Sequence, residues 1–213
     1  MARLEKCEPI YQAAQLFVQR CLRNDTSLLW PERSAWTLAN VTELKRRFID
    51  NPLIGSDTTF DEKLDLQLAG ASSDLWAMLG DIYYVYYLPS THIKQPRRQD
   101  TIRRLASKGG LPDPDPSVWK VGPENGFVRT SQMYHGKYSQ MWLLLLFAYQ
   151  VRSHPESLSV LSDPKQLRVL LDGVLDSIPA KRDRAVDMRH ALLYVLFPDN
   201  YERIISTADK RNI

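Results

Sequence analysis

Apolar residues in this chain recur at steps of three and four and almost never alternate. Cys7, Ile10, Ala14, Phe17 and Cys21 fall on one face of an amphipathic helix. Leu44 and Phe48 mark the apolar face of a second helix, introduced by Asn40 and Glu43 at capping-box spacing and ended by Asn51-Pro52. Thr59 with Glu62 gives another capping box, followed by Phe60, Leu64 and Leu68 on one face and by Gly70 as a stop. Residues 74–88 form a nearly all-apolar stretch in which Leu75, Leu79, Ile82 and Tyr86 keep the helical period, so its tyrosines are read as core and not as a strand or a base-stacking platform.

Further helices are expected over residues 100–107, 138–152 and 183–196, with a shorter helix or turn around 201–205. Asp163-Pro164 is an N-cap followed by proline at the first helical position, and Leu167, Leu170, Leu171 and Val174 continue the face. Between these elements, Gly109, Gly110, Pro112, Pro114 and Pro116 break regular structure through about residue 126. The expectation is an all-α, multi-helix globular domain over residues 1–213, with a Pro/Gly-rich internal loop at 109–126 as the candidate for an internal boundary or a mobile segment. No fixed-period repeat is visible.

A chain of 213 residues with 44% hydrophobic and 25% charged residues can bury a real core and is not expected to be disordered. Only two cysteines, Cys7 and Cys21, are present, and both sit on one apolar stripe. They are expected to be buried, reduced thiols, which suits a cytoplasmic location. Charged residues interrupt the N-terminal region, and the longest apolar run, residues 141–149, falls far short of the roughly 20 residues that span a bilayer. No membrane association is expected. The five tryptophans, Trp30, Trp36, Trp76, Trp119 and Trp142, are read as packing anchors.

No phosphate-binding glycine loop, nucleophile elbow or zinc helix is present, so no catalytic residue is assigned. The histidines His92, His135, His154 and His190 are scattered, and neither a metal site nor a bound cofactor is expected in this chain. Asp61 and Glu62 fall in a helix first turn, where acids complement the dipole. Lys45-Arg46-Arg47 is read as an outer helix face. The net charge of +3 matters less than its placement. Lys94, Arg97, Arg98, Arg103, Arg104 and Lys108 stand against one acid, Asp100, and form the candidate nucleic-acid contact, for DNA or RNA phosphates. The alternative is a solvated helix face or a contact to another domain.

The C-terminal residues are more specific. The run from Ala191 through Leu196, then Phe197-Pro198-Asp199-Asn200-Tyr201-Glu202-Arg203-Ile204-Ile205-Ser206 and Lys210-Arg211-Asn212-Ile213, resembles the segment just ahead of the motor in McrB-type AAA+ ATPases. Trp36, Leu44, Phe48, Phe60, Lys63, Leu64, Gln67, Leu68 and the helix over 75–88 are similar to the helical region of the same family. The resemblance implies a non-catalytic N-terminal recognition or regulatory domain in a restriction or defence NTPase, with residues 199–213 as a connector to an AAA+ motor domain in cis. It also implies a partner nuclease reached through the full assembly. None of the family's NTP-binding residues can be placed on this chain. A protein-interaction or oligomerisation scaffold without a nucleic-acid role is the alternative.

Overall fold

The computed structural model describes residues 3–53, 57–129, 136–178 and 186–206. Residues 207–213 of the expected connector, His135 and the start of the expected helix over 183–196 lie outside the described residues. The architecture is all-α. Among the described residues the α-helices are α1 (Glu8–Phe17), α2 (Leu38–Lys45), α3 (Phe60–Gln67), α4 (Ser73–Tyr87), α5 (Gln95–Lys108), α6 (Lys137–Ser153), α7 (Pro164–Asp176) and α8 (Met188–Leu196). Among the described residues the only β-type pairing is an isolated parallel bridge between Ser90 and Val128.

α4 and α6 make the centre. Every residue of α4 from Leu75 to Tyr87 is buried, as is Gln140 through Ala148 in α6. A helix that is apolar all round must be enclosed. α4 packs against α5, α6, α2 and α1; α6 packs against α2, α7 and α8; and α1 packs on α8. The tyrosines of α4 are therefore core, with Tyr83 and Tyr86 fully enclosed. Trp30, Trp36, Trp76 and Trp142 are buried, and Trp119 packs partly buried against the same core. Cys7 and Cys21 are free and buried. No helix among the described residues is long and apolar enough to cross a membrane.

Local side-chain caps start α2, α3 and α7. The Thr59–Glu62 capping box closes in both directions at the head of α3, and Asp163 accepts from the N–H groups of Lys165 and Gln166 to start α7. Elsewhere the structure differs from the sequence expectation. Thr37, not Asn40, caps α2; its hydroxyl accepts from the Asn40 N–H, and the Asn40 amide reaches back to the carbonyls of Ser34 and Ala35. Glu43 binds Arg46 and Arg47 instead of a cap.

α1 and α2 run on into π-helical segments, Val18–Arg23 and Arg46–Asp50, which keep Cys21 and Leu22, and Phe48 and Ile49, inside the core. α5 starts at Gln95 and not near residue 100, because Pro96 fits the first helical turn, where no intrahelical N–H is needed. The turn around 201–205 is not helical; Tyr201 is held by a hydrogen bond from its hydroxyl to the Pro164 carbonyl.

The 109–126 segment runs along the surface of the helices in two short 3₁₀ turns, Pro116–Lys120 and Pro123–Asn125. It is tied at several points. Trp30 Nε1 donates to the Pro112 carbonyl, Tyr84 Oη to Val118, Gln95 Nε2 to Trp119 and Asn125 Nδ2 to Lys6. A segment whose backbone acceptors are used in this way belongs to the same packed unit as α1, α4 and α5.

Candidate functional site

α5 carries all but one of the candidate cations, and Lys94 is its N-cap residue. Buried Arg98, Thr101, Ile102 and Leu105 lie on the face turned toward α4. That periodicity divides the basic segment into separate roles. Lys94 and Arg97 are exposed. Arg103 pairs with the exposed carboxylate of Asp113 at 3.2 Å. Arg104 reaches Asp65 of α3 at 2.7 Å and Asp61 at 3.8 Å, and Lys108 reaches Asp65 at 3.1 Å.

Arg98 does not belong to any surface. It is 4% exposed. Its guanidinium donates to the carbonyls of Ile93 (2.9 Å) and Ser90 (2.6 Å), closing the turn that leads from α4 into α5. Burial pushes this guanidinium down to about 10. It is a structural clamp, and as a phosphate contact the assignment of Arg98 is corrected: a side chain committed to two buried carbonyls cannot reach a ligand in solvent.

α3 and α5 face one another through a charge network. Asp61 is its hub, accepting from Lys137 Nζ at 2.8 Å and from Tyr83 Oη at 2.6 Å. Burial alone would raise the Asp61 carboxyl, but the bonds from Lys137 and Tyr83 outweigh it and hold the group below its ordinary value. Burial lowers Lys137, against the pull of Asp61, and its ammonium sits 4.6 Å from the centres of both the Phe60 and Tyr83 rings. Tyr83 is pushed well up by burial and by the nearby Asp61 charge. A small surface pocket of about 290 Å³ between the helices is lined by Asp61, Glu62, Asp65, Arg97, Asp100 and Arg104 among others, so both signs meet in it. A phosphate entering there meets carboxylates as well as guanidinium groups.

Among the described residues the most heavily bonded carboxylate is Asp81, in the middle of α4 and 0% exposed. Oδ1 accepts from Ser27 Oγ (3.0 Å) and the Leu29 N–H (2.9 Å); Oδ2 accepts from the Leu28 N–H (3.0 Å) and Trp36 Nε1 (2.7 Å). Burial pushes Asp81 up to about 6, against the lowering effect of these four donors. The preceding residue, Gly80, is where Trp30 lands; a Cβ there would sit 2.9 Å from the Trp30 ring. Gly80 and Asp81 are thus a seat for the connection between α1 and α2. Burial also raises the thiol of Cys21, which lies 4.0 Å from Asp81.

Sequence reading missed both acidic centres. The signal for Asp81 was an isolated acid inside an otherwise apolar helix, and its partners lie 45 to 54 residues away. Asp61 was visible as a first-turn acid, but nothing local indicates that Lys137 reaches it. Among the described residues, no group of three or more His, Cys, Asp or Glu side chains is placed to hold a metal ion. Comparison of the chain with protein-family models, with curated proteins and with solved structures finds no match.

Proposed function

We propose that this chain is a helical recognition or regulatory domain of an McrB-like AAA+ NTPase in a cytoplasmic restriction or defence system, performing no chemistry of its own. The observation that carries this reading is how the block resembling that family is built into the fold. α8 is a core helix with every residue but Arg189 buried. The Phe-Pro-Asp turn after it is fastened by the Arg3–Asp199 ion pair, by the Phe197 N–H bonded to the Leu193 carbonyl and by Tyr201 on Pro164, and Ile205 is buried again. A segment held in this way can deliver a motor domain in cis at a fixed place, and with it the partner nuclease of the assembly.

The native reading frame beyond Ile213 provides the test. This reading expects a phosphate-binding glycine loop there, and nucleotide hydrolysis by the longer protein that changes when the helical domain is removed. A stop codon with no such loop downstream would refute it. A second reading, a protein-interaction scaffold with no nucleic-acid role, is favoured by the α3–α5 network, because Arg104 and Lys108 are already matched by carboxylates. DNA or RNA contact through this segment is then reduced to Lys94 and Arg97, with Arg103 held only by its exposed pair with Asp113.

A further inference from the structure

α7 has a core face and an outer ridge. Leu167, Leu171 and Val174 are buried. At 100° per residue, Lys165, Val169, Asp172, Gly173 and Asp176 gather on the opposite side. Val169 is 72% exposed, the most of the exposed large hydrophobics. Gly173 lies inside the helix, a place where only proline is a poorer choice. A Cβ at Gly173 would meet nothing within 4 Å, so no neighbour among the described residues requires the glycine. Both residues border an open groove of about 590 Å³ between α7 and α6, walled by Leu146, Tyr149, Leu170 and Val174.

The charges of the ridge run against the helix dipole. Lys165 and Arg168 lie in the N-terminal half, Asp172 and Asp176 in the C-terminal half. The dipole favours acids at the start and bases at the end. Asp172 is held at 2.6 Å by Arg189 and at 3.8 Å by Arg168. A ridge that reads base, valine, glycine, acid is complementary to the same ridge running the other way.

We propose that α7 is the contact surface of a symmetric homodimer, with the α7 of a second copy lying antiparallel across it. A twofold axis near the middle of the helix sets Val169 of each copy over the open space at Gly173 of the other. The same axis brings Lys165 of each copy close to Asp176 of the other, twice per dimer. Isologous pairing of this kind needs self-complementarity, which the order of these residues supplies. One helix face is a small interface, so the dimer is weak and concentration-dependent.

Sedimentation velocity of the whole chain, from dilute to concentrated protein, tests this. The wild type is expected to dimerise as concentration rises. Val169→Asp abolishes the dimer with an unchanged circular dichroism spectrum, since Val169 lies outside the core. Lys165→Glu and Asp176→Lys, each alone, weaken association about tenfold or more, because each places like charges at both contacts. An equimolar mixture of those two variants restores it, since only the mixed dimer matches opposite charges twice. A wild type that stays monomeric, a V169D variant that dimerises like the wild type, or a mixture no more associated than its components would overturn the proposal.

Discussion

The indole N–H of Trp36 donates to the carboxylate of Asp81 at 2.7 Å, joining residues 45 apart in the chain. This bond and those from Ser27, Leu28 and Leu29 hold the α1–α2 connection against the centre of α4. Asp81→Asn replaces an oxygen that accepts two bonds by an amino group that accepts none. At neutral pH the cost is expected to be about 2–4 kcal/mol, since buried donors are left without partners. Chemical denaturation of the two proteins measures it, and equal stability would show that the bonds on the replaced oxygen contribute nothing.

Asp81 also sets a pH dependence with an unusual sign. Its folded value, about 6, lies above the ordinary carboxyl value, so the fold binds this proton more tightly than the unfolded chain does. The stability linked to that proton is fully present below about pH 4 and is lost as pH rises through about 6. The advantage of the wild type over Asp81→Asn should narrow by roughly 2–3 kcal/mol across that window. Unfolding curves of both proteins at pH 4, 5, 6 and 7 give the slope, and an advantage that grows with pH would contradict it.

Gly80 tests the same seat sterically. Gly80→Ala puts a methyl group 2.9 Å from the Trp30 ring, which is anchored by its own bond to the Pro112 carbonyl. Overpacking of this kind costs about 1–3 kcal/mol, although alanine is the better helix former. A thermal melt of Gly80→Ala below that of the wild type is expected.

Arg98 and Arg103 lie five residues apart in one basic run and should behave differently. Arg98→Ala leaves the Ser90 and Ile93 carbonyls without their donor, at a cost of about 2–4 kcal/mol. Arg98→Lys recovers only part, because an ammonium does not reproduce the planar fork. Arg103→Ala removes an exposed ion pair and should change stability by less than about 1 kcal/mol. Melting temperatures of the three variants separate a clamp from a surface charge.

These residues also show where the sequence was legible. The Thr59–Glu62 box and the Asp163 cap are local, with donor and acceptor within three residues, so spacing alone identifies them. The apolar face of α1 was readable because one-sided burial imposes the 3.6 period, and α4 and α6 because burial on all sides makes them nearly continuous apolar runs. The role of Arg98 was hidden by a helix start expected near residue 100; the actual start at Gln95 turns Arg98 inward with Thr101, Ile102 and Leu105. Asp81 and the Asp61–Lys137 pair depend on partners far along the chain, which periodicity does not encode. The charge of α5 read as a binding surface because the acids that meet it are on a different helix.

Much of the charge of α5 is committed within the fold. Titrating a labelled DNA duplex and a labelled RNA strand with the protein over a range of salt concentrations tests it most directly, with Asp65→Asn alongside the wild type. Asp65 engages both Arg104 and Lys108. The wild type is expected to bind weakly with a shallow salt dependence, and Asp65→Asn to bind more tightly with a log–log slope steeper by about 1–2, since Lys108 is released and Arg104 keeps only its longer pairing with Asp61. Tight, steeply salt-dependent binding by the wild type that is abolished by Arg104→Ala with Lys108→Ala would contradict the claim.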